Sequence, residues 1–417
     1  MDITKSLGEN IQTIEGNGLA VFVDDNDSAL KLKDIYGTIS PLSDFVSGGG
    51  TSSCALYVES SGTNSTIRIN VNNLASGNYS ASLGGQCNVA LGTFSGVLSG
   101  IRNCVLSTGA VILGGCSNTI SASYSSILGG RCNTASGICS IILGGRINTA
   151  TNEGNIVGGR QSNATASHGI SLGYLNNSTG ACSNVIGGSS NVASGGFSNI
   201  LGGLTNSATS SFSTILSGQS NCASASYSII SSGKSNSASG IYSSIFAGQT
   251  NKATGLYSNV TQGLTNCATN QYSNVLGGTI NTNNGDTSTI VGGSTNTISG
   301  YGSYGSIVGG NVNKLCGSYG FIGGGTCNSI QNILSSYSSI VGGLRSCVCA
   351  GSYNSVLNGL NNTMCHDYSA ISGCAITTDR ACTLFVNNIS IKNIPTSSAG
   401  LPSGSVWSNS GVLTIVP

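Results

Sequence analysis

The sequence predicts an all-β protein, a parallel β-solenoid whose short coils stack along one axis. Three observations predict it: a glycine that returns every 15 residues, apolar and small residues at fixed offsets from that glycine, and too little charge for exposed helices. Of 417 residues 63 are glycine and 6% are charged, against roughly a quarter charged in an average soluble domain. A steady supply of Ile, Val and Leu separates the chain from a disordered one, which lacks the apolar surface to fold.

Charge divides the chain. Residues 1–59 hold nine of the 13 acids against three lysines, net −6, and the rest holds 11 Lys and Arg against four acids, net +7. The shift marks a boundary near residue 50. It leads to an N-terminal segment over 1–49, transition strands over 50–79, a repeat shaft over 80–380 and a C-terminal β cap over 381–417.

In the first segment residues 17–46 read as strand, polar turn and strand, an N-terminal hairpin for attachment or capping. Asp24, Asp25, Asn26 and Asp27 form its turn and lack the spacing and bidentate Glu of a calcium loop. The opening residues carry acids where an export signal has basic residues followed by an apolar run. No stretch of about 18 apolar residues occurs. The expectation is a chain assembled in the cytoplasm, without membrane insertion. The +7 of the remainder is spread over more than 350 residues, so no clustered nucleic-acid footprint is expected.

The shaft is set by its glycines. They stand at Gly85, Gly100, Gly115, Gly130 and Gly145; two 14-residue steps follow through Gly159 and Gly173, and the 15-residue spacing resumes from Gly188 to Gly293. Looser copies continue through Gly310, Gly325, Gly343, Gly359 and Gly373. A 15-residue unit is too short for a helical hairpin, and two strands of about five residues with glycine at tight corners fit it.

Four columns give each face its task. Ile or Val stands three residues before the glycine, as in Ile112, Ile127, Ile200 and Ile245, and Ala five residues after it, as in Ala193, Ala208 and Ala238. Large opposite small fills a narrow tube. Asn stands three residues after the glycine, at Asn118, Asn133, Asn191, Asn206, Asn221, Asn236, Asn251 and Asn266 among others. At the strand repeat of roughly 4.8 Å such side chains are expected to hydrogen-bond along the axis as an amide ladder. The residue after the Ile/Val is also apolar, as in Leu98, Leu113, Leu201 and Leu216. Strands apolar on both faces are buried on both, which predicts self-association along the shaft.

The unit Ser243-x-Ile245 with Asn251-x-Ala253-x-Gly255 resembles the head repeat of YadA-like trimeric adhesins, over about residues 75–380. The resemblance implies a left-handed parallel β-roll in a side-by-side homotrimer. This chain departs from the family's usual 14-residue period by one residue. Both ends resemble segments that recur in phage and giant-virus virion proteins, and the C-terminal one reads as a hairpin turning on Ser408-Asn409-Ser410-Gly411. The resemblances imply a structural virion fibre or spike, exposed on the particle, held by a virion attachment protein and binding a host-surface glycan or protein. The alternatives are a passive shaft, whisker or coat filament, and a cell-surface adhesin. About 20 coils at roughly 4.8 Å make a rod near 100 Å long.

No enzyme is expected. Glycoside hydrolysis takes two carboxylates within about 10 Å, and in the shaft only Asp367 and Asp379 fall close enough in the repeat. His366 beside Asp367 has no nucleophile pattern around it. The 16 cysteines show no metal-ligand spacing, so neither metal nor cofactor is expected and the thiols read as small, reduced packing residues, the alternative being disulfides between neighbouring chains. Receptor contact is expected where the period breaks, at Tyr301, Tyr304, Gln331, Asn332 and Tyr337, because loops on a rigid scaffold carry function. Trp407 in the cap is a further candidate. An aromatic column from Phe94 to Tyr368 reads as regular stacking or interface packing.

Overall fold

The structure is a computed structural model. It describes the strands Ile11–Thr13, Ala20–Val23, Leu30–Lys33 and Ile39–Pro41, and residues 62–63, 65–67, 72–332, 334–390 and 394–416. Among the described residues there is no helix. A parallel β-solenoid of about 21 turns makes up the shaft.

Successive coils pair along parallel ladders. In one, Val111–Ile112 lies in register with Ser126–Ile127; in the other, Thr119–Ile120 lies in register with Thr134–Ala135. A third line of single bridges runs through the residue after each column glycine, as from Cys116 to Arg131. Most strands are two residues long, not the five the spacing suggested. The cause is three left-handed residues in each coil, such as Gly115 (φ 96°), Ser117 (φ 56°) and Tyr124 (φ 59°).

Two of those three carry side chains, although the left-handed region costs an L-residue about 1–2 kcal/mol. Hydrogen bonding offsets the cost. Strand amides donate forward to the next coil (Thr119 N–H to the Asn133 carbonyl, 2.8 Å). The left-handed residues donate backward (Ser117 to Ile101 and Tyr124 to Thr108, both 2.9 Å). Every turn thereby satisfies backbone groups that a corner would otherwise leave bare. Glycine is indispensable at one position: a Cβ on Gly115 would run into the Gly130 carbonyl and come within 2.6 Å of Asn118 Nδ2.

Ile or Val faces Ala across the tube. Ile200, Ile215, Ile230 and Ile245 and Ala193, Ala208, Ala223 and Ala238 are all fully buried in one continuous cluster. Each such Ile contributes roughly 1.5–3 kcal/mol by leaving water. A second cluster runs from Ala75 to Ala164. Between them Ser171 and Ser178 take apolar positions, their hydroxyls donating to the carbonyls of Asn176 (2.9 Å) and Ser183 (2.7 Å). This polar partition lies in the coils shortened to 14 residues.

Stacking begins and ends outside 80–380. Thr66–Ile67 already pairs with Ala81–Ser82, and Leu384–Val386 adds in parallel to Ala370–Ser372. The N-terminal segment holds a four-stranded antiparallel sheet, not a single hairpin, in the order Ile11–Thr13, Ala20–Val23, Leu30–Lys33, Ile39–Pro41. Asp24 to Asp27 lie outside the described residues. At the C-terminus Val406–Asn409 pairs antiparallel with Val412–Ile415. Ser410 (φ 52°) and Gly411 (φ 88°) supply the paired positive φ angles of a type I′ hairpin turn.

Candidate functional site

The asparagine column is an internal staple. Asn118 Oδ1 accepts the backbone N–H of Asn133 at 3.0 Å. Its Nδ2 donates to the Gly114 carbonyl (3.1 Å) and to the Gly130 carbonyl of the next coil (3.0 Å). Asn133, Asn191, Asn206, Asn221, Asn236, Asn251 and Asn266 repeat the pattern and are buried. The expected amide-to-amide ladder is present in part, since Asn103 Nδ2 donates to Asn88 Oδ1 (3.2 Å) and Asn118 Nδ2 to Asn103 Oδ1 (3.1 Å), but along the column the amides bond mainly to backbone. The left-handed corner turns the carbonyls inward, and the backbone meets the side chain first. Amide-to-amide bonds recur on the outer face, where Asn184 Nδ2 donates to Asn199 Oδ1 (2.8 Å) and Asn259 Nδ2 to Asn274 Oδ1 (2.9 Å).

The aromatic column stacks face to face. From Phe197 to Tyr272 the ring centroids are 4.8–5.1 Å apart and the planes within 11° of parallel. A second stack runs from Tyr304 through Tyr319, Tyr337 and Tyr353 to Tyr368. Stacking covers the ring faces, which a sugar would otherwise use, and leaves edges and hydroxyls to solvent.

This changes the reading of the period breaks. Tyr304 and Tyr337 belong to the stack and sit in the left-handed corner (φ 55° and 54°) instead of projecting on a loop. The inserted residues fold into turns just before them. Tyr301 is 67% exposed, and its carbonyl accepts a hydrogen bond from Ser318 Oγ at 3.0 Å. Gln331 is exposed and its backbone N–H donates to the Val348 carbonyl (2.9 Å). Asn332 Oδ1 caps the turn by accepting the Leu334 N–H (3.1 Å). Leu334, which the sequence did not single out, is 68% exposed. Trp407 lies half-buried in the C-terminal hairpin, opposite Thr414 and far in sequence from the breaks.

The apolar outer stripe is present as a surface. Leu98, Leu113, Leu128, Leu143, Ile186, Leu201, Leu216 and Leu276 are 41–52% exposed. They rise one per coil from Leu98 to Leu216 except at Gly158, between Leu143 and Leu172, and the row is interrupted again at Ser231 and Thr261 before Leu276.

The cysteines depart from expectation. Cys349 and Cys365 occupy one column in consecutive coils, with Cα atoms 5.3 Å apart, and form a disulfide within the chain. Among the free thiols described, only Cys316 is buried, and Cys132, Cys139, Cys327, Cys374 and Cys382 are exposed. Most cysteines therefore occupy outward or corner positions instead of filling the core. Burial pushes the Cys104, Cys267 and Cys347 thiols above their ordinary value.

The side chains of Asp367, His366 and Asp379 each bond to a partner other than one another. Asp367 Oδ1 accepts the Ser352 N–H (2.6 Å), while His366 Nδ1 meets Thr378 Oγ1 at 3.1 Å. Asp379 holds Arg380 through two hydrogen bonds (2.9 and 3.1 Å), which keep its carboxyl below the usual range. Among the described residues no group of three His, Cys, Asp or Glu side chains is placed to hold a metal.

The fold and its columns define a parallel β-solenoid. The chain matches no known family model and no curated protein.

Proposed function

We propose that this chain is the shaft of a homotrimeric, non-catalytic fibre or spike on a phage or giant-virus particle, and that it serves attachment to the host surface. The observation that carries the reading is the apolar stripe, whose members are 41–52% exposed and recur in most coils. Monomers rarely expose contiguous apolar patches beyond a few hundred Å². Side-by-side association covers the stripe on every copy, and cyclic symmetry closes the assembly. The number three, the left-handed sense and the viral setting come from the resemblance to YadA-like heads and virion segments. The particle end is assigned to a virion attachment protein, with assembly in the host cytoplasm.

The face-to-face aromatic stack favours a second reading, a passive shaft that spaces without binding, because the rings spend their faces on one another. Light scattering on the full chain tests the assembly: a mass three times 41.5 kDa is expected. The double variant Leu201→Glu, Leu216→Glu should fall to one chain mass. A wild-type monomer overturns the assembly. A glycan and host-cell binding screen with no hit favours the passive shaft.

A further inference from the structure

A local site lies at the two 14-residue coils, where the column after the glycine carries arginine in consecutive turns. Here the strands Ile141–Arg146, Ile156–Arg160 and Ile170–Tyr174 run on through the glycines, which keep the left-handed φ of the other coils (Gly145 96°, Gly159 103°). Arg146, Arg160 and Tyr174 come into register on three consecutive coils, and Arg131 bridges to Arg146 from the coil before. Coils stand roughly 4.8 Å apart, so three exposed guanidinium stems rise as one row.

Like charges directly opposite on paired strands are destabilising, and nothing among the described residues neutralises these. The ion pair described there is Arg380 with Asp379. Glu153, the acid nearest in sequence, lies at the other corner, where its carbonyl accepts the His168 N–H. Elsewhere the same column carries isolated cations, as at Lys234 between Gln219 and Gln249. Arg160 Cζ lies 5.3 Å from the centroid of the Tyr174 ring, a cation–π contact that orients the guanidinium. The apolar stripe also loses a side chain here, at Gly158.

We propose that Arg131, Arg146, Arg160 and Tyr174 form a binding site for an acidic oligosaccharide bearing sulfate or carboxylate groups. Guanidinium forks pair bidentately with such oxyanions, and a row with one cation per coil suits anionic groups repeated along an extended sugar chain. Nucleic acid fits less well. Its binders make on the order of 6–10 phosphate contacts and are strongly basic, whereas this chain has a pI near 7.4. The inference deepens the attachment reading and rests on it.

The test is titration of the full-length protein with sulfated heparin oligosaccharides, carboxylated hyaluronan oligosaccharides, neutral dextran and single-stranded DNA, at two salt concentrations. Salt-sensitive binding of one or both acidic sugars is expected, weakened about tenfold by Arg146→Gln and abolished by the triple variant Arg131→Gln, Arg146→Gln, Arg160→Gln. Lys234→Gln should change nothing. Backbone pairing does not depend on these side chains, so the variants should keep the wild-type mass and circular dichroism. Acidic-sugar binding that survives the triple variant overturns the site while leaving attachment standing, as does binding of neutral sugar alone. Tighter binding of DNA, lost in the triple variant, overturns the ligand class. Failure to bind any sugar, together with failure to bind host cells, overturns both readings.

Discussion

Truncating Asn221 to alanine removes three hydrogen bonds from inside a coil. Its Oδ1 accepts the Asn236 N–H (3.0 Å), and its Nδ2 donates to the carbonyls of Ser217 (3.2 Å) and Gly233 (2.9 Å). The residue is 1% exposed, so the abandoned groups have little access to water. At about 1 kcal/mol net for each bond, and more where a group stays unsatisfied, the loss is about 3 kcal/mol. That corresponds to roughly a 150-fold shift in a local opening equilibrium. Native-state hydrogen exchange reads such openings, and in a repeat array the effect decays with distance from the altered coil. Protection should fall about 100-fold over residues 206–236 and stay close to wild type near Asn313. Asn259→Ala is the control. Its amide bonds on the outer face, to the Tyr257 carbonyl and Asn274 Oδ1, where water can replace it, and the expected cost is within about 0.5 kcal/mol. Equal losses in the two variants would refute the staple.

Two further perturbations follow from the corners and the cysteines. Gly248→Ala drives a Cβ into the Gly263 carbonyl and to 2.5 Å from Asn251 Nδ2, at φ 97°. Gly292→Ala meets nothing within 4 Å and needs no left-handed backbone. In guanidinium unfolding the first should destabilise by more than about 1 kcal/mol, and the second should be neutral or stabilise by up to about 1 kcal/mol. Cys349→Ser opens the bridge to Cys365, 16 residues away; a loop of that size contributes about 3 kcal/mol. Hydrogen exchange over residues 344–372 should rise in the variant and equally in reduced wild-type protein. Identical exchange before and after reduction would mean the bridge does not form.

Much of the architecture was legible in the residues alone. The 15-residue return of glycine, Ile or Val facing Ala, and a second apolar column determined a stacked coil with a dry tube inside and an apolar stripe outside, because a repeat period dictates which residues lie above one another. It does not dictate what each meets across its own coil. Whether Asn221 bonds to an amide or to backbone depends on the direction of the Ser217 and Gly233 carbonyls. That direction follows from left-handed residues such as Ser117 and Tyr124, which no propensity marks. The period breaks read as protruding loops, yet Tyr304 and Tyr337 stack with their neighbours, since parallel rings one coil apart lie within contact. Cys349 and Cys365 lie on no common sequence motif; stacking in one column brings them together. Arg131, Arg146 and Arg160 looked like dispersed charge along the chain. All three stand directly after a column glycine, and coil stacking sets that position in register across 15- and 14-residue steps alike; that the side chains stand exposed there, with Arg160 against the Tyr174 ring, only the tertiary structure decides.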